Sequence, residues 1–552
     1  VGLVYLAFAV FLTLPVIGQL GSALLGDPRI DVWNHAWGYW FVADALSKGR
    51  LPYDTPLVGG PDGGLLYFID TPGALVGLPL TLLFGPAAAY NLVLIGRIAL
   101  AGFAAHQLAA ELGAAPRSRW VAGLAYASSP FLLCELRNGI SEVCATQWLV
   151  VVLWAASRVA RRGSLGDWLC LGLAQGLCSL VTFYYGLISG LLAGLFILGM
   201  AIAQRRLPHP GRLLAGVGLA LAMVLPHWLI FRQSLADPRA LIFRAPELNS
   251  ALMAHNAVDP RIFVMPGSFQ SVDLAAVYGE PFLHTGYLRA SLLALAGLAL
   301  WRRPALRPWG LLFAVALVLG LGPYLWWNGE WLTVGGMQLS LPFEWIRRLM
   351  PEVAITHPLR FALGAHAIGA ALAAVGLECL WGAVAERGQR AMVVGASALL
   401  VGESLFASAA VWPLPISPAE VPDFYAAPGE GMVLDLPVEL GTSMETSRYF
   451  WYQTVHGRPI PYTPDVRLGS ARDRLTFDAF HDPRRGGSGE VPRAPSGAVR
   501  DHIAQTYSLI VVHGELEARA GLSTSYVDAL TQAFGPPERV GDDAIWRLPA
   551  TR

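Results

Sequence analysis

Gly26-Asp27-Pro28-Arg29-Ile30-Asp31-Val32-Trp33-Asn34-His35-Ala36-Trp37-Gly38-Tyr39-Trp40-Phe41 follows directly on the first apolar stretch of the chain, and the fold turns on how it is read. A helix from about Val32 to Ser47 puts Asp31 and His35 one turn apart on one face, with Trp33, Trp37 and Trp40 as a stripe on another. Indole rings settle at the headgroup level of a bilayer, so the segment reads as a helix lying on the outer membrane surface. A carboxylate held there can meet a lipid-linked substrate. The residue types leave a second role open, because Asp27 and Asp31 also suit a helix start as capping residues.

The rest of the chain has the composition of a membrane protein. Of 552 residues, 54% are hydrophobic and 14% are charged, and the formal net charge is zero. Ordinary soluble domains hold about 25% charged residues. No long basic run or arginine-aromatic repeat is present, which argues against nucleic acid as a partner. The five cysteines form no CxxC pair.

Val1 to about Leu20 reads as an uncleaved first span, with a signal peptide as its rival. Residues 21–86 are too polar and too rich in Gly and Pro to cross, so they form a long outer loop, in which Thr71 to Phe84 is a second surface helix opening at Pro72. Crossing helices are expected at 87–112, 118–133, 141–158, 166–182, 184–203, 212–231, 286–301, 308–326, 360–382 and 391–411, about eleven with the first. Alternate short loops carry the arginines, at 117 and 119, 158–162, 205–212, 302–307 and 387–390, and are assigned to the cytoplasm. The remaining loops then face outward. They hold Asp27, Asp31, His35 and Asp70; Glu135, Arg137, Asn138 and Glu142; Arg244, His255, Asp259, Glu280 and His284; and Glu344, Arg347, Arg348, Glu352, His357 and Arg360.

From Pro413 onward the pattern is that of a small α/β domain, residues 413–552, appended to a transmembrane module of residues 1–412. Met432–Leu436 and Ser508–Val512 read as buried strands and Ser523–Phe534 as an amphipathic helix. Glu538–Val540 and Ala544–Leu548 read as a hairpin turning at Asp542-Asp543, and Pro483–Ser496 as a loop.

No GxxxxGK[ST], HExxH or GxSxG motif occurs in its required setting, which argues against ATP-driven transport, zinc proteolysis and hydrolase chemistry. An acid-bearing first loop opposite an arginine-bearing later loop instead suits sugar transfer from a lipid phosphate. The carboxylate takes the acceptor's proton and fixed cations hold the departing phosphate.

In the order of these features the chain resembles the glycosyltransferase C superfamily, polytopic enzymes that use polyprenyl-phosphate sugars. The motifs that carry the likeness are Asp31 followed six residues on by Trp37, Gly85-Pro86-Ala87-Ala88-Ala89-Tyr90-Asn91-Leu92, and His357-Pro358-Leu359-Arg360-Phe361. Leu434-Asp435-Leu436-Pro437 and Gln453 to Ile460 add to it. The resemblance implies that Asp31 is the general base of an inverting transfer, with Asp27 as its rival. Arg360 with His357 would hold the donor phosphate. His35, Trp37, Asp70, Asn138 and Glu142 would line the substrate groove. A divalent metal is left open, because the paired acids that hold one in relatives are separated here. The acceptor, whether lipid, glycan or protein, would be met on the outer face of a bacterial inner membrane. A transporter or flippase of lipid-linked glycans and a non-catalytic scaffold are the competing readings; the former needs ionisable groups at mid-membrane, where His106 and Glu403 are the main candidates.

Overall fold

The computed structural model describes the chain except residues 67, 69, 206, 242–251, 255, 268, 270–281, 350–354, 383, 411, 439–446, 464–472, 481–491, 523 and 550–552. Arg244, His255, Glu280, Glu352 and most of the expected loop Pro483–Ser496 therefore lie outside the described residues.

The first apolar stretch is helical as α1, Gly2–Leu12, and then turns at Thr13. The decisive stretch opens α2, Val32–Ser47, and the expected second loop helix is α3, Thr71–Phe84. The bundle follows as α4 (Pro86–Glu111), α5 (Arg119–Ala127), α6 (Pro130–Asn138), α7 (Gln147–Arg161), α8 (Leu165–Val181), α9 (Phe183–Gln204), α10 (Pro210–Ala236), α11 (Ala290–Arg302), α12 (Arg307–Gly320), α13 (Pro342–Leu349), α14 (Ala362–Glu378) and α15 (Glu386–Ala407).

Among the described residues, five helical segments are long and apolar enough to cross a bilayer: Pro86–Glu111, Phe183–Gln204, Pro210–Ala236, Pro358–Glu378 and Glu386–Ala407. The pair Ala290–Arg302 and Pro304–Gly320, bent by 114°, makes a sixth if taken as one broken span. Two expected spans have a different form. The 118–133 segment is two short helices, because Ser128-Ser129-Pro130 ends one and starts the next, with the Ser129 hydroxyl accepting the Leu132 amide at 3.4 Å. The 141–158 segment becomes helical only at Gln147, so residues 139–146 form a turn at the end of the bundle.

Beyond Pro413, β3 (Met432–Leu436), β4 (Tyr507–Val512), β5 (Glu538–Val540) and β6 (Asp543–Arg547) form a sheet in the order β5-β6-β4-β3. The β3–β4 pair is parallel, with Asp435 opposite Val511, and the two β6 pairings are antiparallel. The hairpin stands where the sequence predicts it. A separate two-stranded ribbon joins Ala23–Leu25 (β1) to Ile416–Pro418 (β2), stitching the start of the first loop to the segment after α15.

The surface-helix reading of α2 is corrected by its packing. Eleven of its residues are buried, including Trp33 and Trp37. Helix α16 (Arg448–His456) covers them: Trp37 stacks on Phe41 at 4.8 Å and meets Phe450 edge-on at 5.5 Å, and Arg448 lies over Trp33. The aromatic stripe thus serves a protein seam rather than the headgroup layer. By contrast α3 leaves Leu75, Val76, Leu82, Leu83 and Phe84 exposed, as a helix against lipid would.

Candidate functional site

The end of the bundle that carries the first loop is assembled around the turn after α6. Gly139 ends that helix at φ +75°, and a Cβ there would lie 2.7 Å from the Cβ of Val32. Glycine therefore lets the N-terminus of α2 rest directly on the turn. Asp31 stands at that N-terminus, partly buried, and its side chain makes no capping hydrogen bond to α2. The capping role that competed for this residue is thus not the one it adopts.

One turn on, His35 Nδ1 lies 3.2 Å from Glu142 Oε2 and 3.3 Å from the Ser141 hydroxyl. Ser141 donates to Asp70 Oδ2 at 2.5 Å. Asp70 is fully buried and held by Arg97 of α4 through a bidentate pair, Nη1 to Oδ2 at 3.0 Å and Nη2 to Oδ1 at 2.8 Å, while Arg97 Nη1 also donates to the Ser141 carbonyl. Burial pushes the Glu142 carboxyl up, with Asp70 adding to the rise, against the opposing charges of His35 and Arg360.

Across the turn, Glu135 Oε1 lies 3.4 Å from His284 Nδ1, and the His284 ring is 5.2 Å from that of His357. His357 Nδ1 is 2.9 Å from the Thr356 hydroxyl. Three residues later Arg360 sits at the mouth of the Pro358–Glu378 span, its guanidinium 4.3 Å from the centre of the Tyr184 ring. Arg360 makes no hydrogen bond or ion pair to any described residue, its Nε is buried, and its charge interacts with Glu135 and Glu142.

Several expected groove residues hold the frame instead. Trp37 is fully buried and its Nε1 donates to Gln453 Oε1 at 2.8 Å, which corrects its placement in the substrate groove. Asn138 is fully buried and clamps Leu283 from both ends of its amide, at 2.8 and 3.1 Å. Asp70 is consumed by Arg97 and Ser141. Asp27, the rival base, is gripped by Arg29 at 3.0 and 2.9 Å and by Arg137 at 2.9 Å. Burial works to raise its carboxyl, but hydrogen bonds from Arg29 and the charges of Arg137 and Arg29 outweigh this and hold it below the ordinary range. That is a poor proton acceptor.

Of the residues singled out in the sequence, His35 stands against Glu142, the charges of Glu142 and Arg360 interact, and His357 lies against His284. Glu135, His284 and Tyr184 join them from outer segments, and Arg97 stands inside an expected span. Among the described residues no three His, Cys, Asp or Glu side chains are grouped as metal ligands. A cavity of about 160 Å³ lined by Glu111, Arg161, Phe196 and Trp309 lies elsewhere, at the arginine-bearing end of the bundle.

No protein-family model and no curated protein matches the sequence. Solved structures do match in shape. The arabinofuranosyltransferase AftD from Mycobacteria superposes over 100% of this chain with a TM-score of 0.54 at 14% identity. ArnT from Cupriavidus metallidurans, solved bound to undecaprenyl phosphate, superposes over 98% of this chain and 97% of its own, with a TM-score of 0.50 and 14% identity. The fold is similar to those of these two glycosyltransferases. The chain spans 40% of the length of AftD, so within this fold the mycobacterial protein is much the larger. In this chain the first loop, the turn after α6 and the mouth of the Pro358–Glu378 span meet at one end of the bundle.

Proposed function

We propose that this membrane protein is a glycosyltransferase that moves a sugar from a polyprenyl-phosphate donor to an acceptor on the extracytoplasmic face. The observation that carries this reading is Arg360. A guanidinium with no hydrogen bond or ion pair among the described residues, stacked on Tyr184 at the mouth of an apolar helix, is an anion site beside lipid. The donor phosphodiester fits it. The polyprenyl chain then runs along the apolar helices and the anomeric carbon faces the first loop.

In this reading Asp31 is the general base, removing the acceptor's proton as its oxygen attacks the anomeric carbon and the C–O bond to the phosphate breaks. Attack from the face opposite the phosphate inverts the anomeric centre. The phosphate leaves as an anion, and Arg360, with His357 beside it, stabilises that charge. His35 is fixed on the Asp31 side of the groove by Glu142 and Ser141. Arginine-bearing loops in the cytoplasm and residues 413–552 as an extracytoplasmic domain complete the topology. The acceptor is a lipid, a glycan or a protein.

The transporter reading loses its two mid-membrane candidates. Glu403 accepts hydrogen bonds from Tyr287, from the Ala290 and Ser291 amides and from the Ser291 hydroxyl, capping α11 from a neighbouring helix, and His106 bonds the Tyr5 hydroxyl at 3.0 Å.

The test is transfer of radiolabelled sugar from a panel of polyprenyl-phosphate sugars by reconstituted protein, with Asp31→Asn, Asp31→Ala and Arg360→Ala in parallel. Transfer lost in all three folded variants supports the reading. Transfer that survives in both Asp31 variants removes Asp31 as the base.

A further inference from the structure

We propose that residues 323–349, between α12 and the Pro358–Glu378 span, form a membrane-dipping lip, in which a hairpin tip and helix α13 lay their exposed apolar side chains into bilayer lipid at the Arg360 end of the bundle. The inference concerns a surface rather than a reaction, and it stands apart from the sugar-transfer reading above.

The lip starts as two short hairpins. Trp326–Trp327 pairs with Glu330–Trp331, and Thr333–Val334 pairs with Met337–Gln338. The second hairpin turns at Gly335-Gly336, at φ +60° and +79°, a conformation that glycine adopts without steric cost. Side chains alternate across a strand, so Val334 and Met337, directly opposite each other, share one face, while Thr333 and Gln338 share the other. The tip thus has an apolar side and a polar side. Val334 and Met337 are 62% and 74% exposed, and Trp327 at the first turn is exposed as well.

Helix α13 repeats the pattern. Phe343 is buried and meets Phe361, the residue after Arg360, edge-on at 6.0 Å. Glu344 is buried beside it and takes Arg347 at 2.6 Å and Arg348 at 2.9 Å. Trp345 and Leu349, four positions apart on one face, are left 70% and 79% exposed. A short helix with a Trp-Leu face and arginines that can reach headgroups suits the boundary layer of a bilayer. Continuity with the apolar surface of the bundle identifies lipid as what covers this face. Helix α12, half of the bent pair, runs into the lip with Val318 exposed in its last turn, and the Pro358–Glu378 span follows after it. Both ends of the lip are therefore tethered to apolar helices, and the contact of Phe343 with Phe361 fixes it against the Arg360 mouth. Exposed apolar side chains so placed mark a membrane contact.

The experiment is photocrosslinking of the full-length protein in vesicles of phosphatidylethanolamine and phosphatidylglycerol. Trp345, Leu349, Met337 and Gln338 are replaced one at a time by p-benzoylphenylalanine, and each variant is checked for an unchanged unfolding midpoint. Mass spectrometry then reads what the activated ketone has captured. The expected result is phospholipid adducts at positions 345, 349 and 337, at roughly five times or more the yield at position 338, which lies on the polar face of the same hairpin. Adducts with the mass of a second copy of the chain at 345, 349 and 337 would overturn the proposal in favour of a dimer contact. Lipid yields at those three positions no higher than at 338 would overturn it in favour of a lip that stands in water. No donor sugar enters the measurement, so neither outcome bears on the transferase reading.

Discussion

Asp70 and Arg97 face each other as a buried, two-pronged ion pair, with the Asp70 carboxylate also held by the Ser141 hydroxyl and near the Tyr39 phenol at 3.3 Å. The pair ties the first loop to α4, and Gly73 makes room for it: a Cβ there would lie 2.3 Å from Arg97 Nη2 and 2.4 Å from Asp70 Oδ1. Removing one partner strands the other charge. Asp70→Ala or Arg97→Ala is expected to cost about 3–5 kcal/mol of stability, and the double variant Asp70→Leu with Arg97→Met distinctly less than the sum. Unfolding midpoints in detergent measure this, and additive losses would refute the coupling.

Asp31 and Asp27 should separate cleanly in a kinetic experiment. Asp31→Asn is expected to lower kcat by about 100-fold or more without moving the unfolding midpoint, as loss of a general base does. Asp27→Asn breaks the contacts to Arg29 and Arg137, so its expected signature is a lower midpoint with kcat of the surviving folded enzyme nearly intact.

Arg360→Lys tests what kind of cation the site needs. Lysine keeps the charge but lacks the planar fork that lies over Tyr184, so donor KM is expected to rise about tenfold, and more in Arg360→Ala. Equal KM for wild type and the alanine variant would remove Arg360 from donor binding.

His513 gives the C-terminal sheet a pH dependence of defined sign. It stands after β4, 3.1 Å from Asp435 Oδ1 and 3.6 Å from Asp543 Oδ2, with Tyr449 stacked on its ring at 5.4 Å. Burial alone would lower its pKa, but hydrogen bonds and charges from Asp435 and Asp543 raise it from 6.5 to about 9. The folded-state value lies above the unfolded one. The stabilisation, on the order of 3 kcal/mol, is therefore fully present below about pH 6.5 and lost as the pH rises through about 9. Wild type should lose midpoint temperature between those values, and His513→Phe should show a flatter profile. A wild-type midpoint that rises from pH 7 to 9.5 would contradict the assignment.

Much of this architecture is legible in residue patterns, and its gaps have physical causes. Hydropathy locates most of the bundle helices, and period-two runs locate β3, β4 and the β5–β6 hairpin. Arg360 is singled out through the resemblance alone, because an arginine at the mouth of an apolar run also suits a helix-end anchor at the headgroups. Arg97 escapes notice because one charge in the 26-residue α4 barely lowers a window average. Its partner is 27 positions away, in a loop that composition marks only as polar. Glu135 and His284 are 149 positions apart, a pairing that no local spacing encodes. The Trp33 and Trp37 stripe misleads for another reason: indoles at helical spacing look the same facing headgroups or facing a neighbouring helix. The amide of Gln453 that meets Trp37 is 416 residues further on, and no local spacing ties the two together.

The hydrogen bond between Trp37 and Gln453 changes how a shortened protein should be interpreted. Trp37, Phe41 and the strand residues Val433 and Ile510 belong to one continuous apolar cluster. A chain cut before β3 would leave the helix that carries Asp31 without its cover, with two indoles and their neighbours open to water. An inactive truncation would then report a misassembled first loop, and it would be a false witness for any claim that the C-terminal residues recognise the acceptor. Point substitutions on the outer face of that sheet, away from α2, are the experiments that can speak to such recognition.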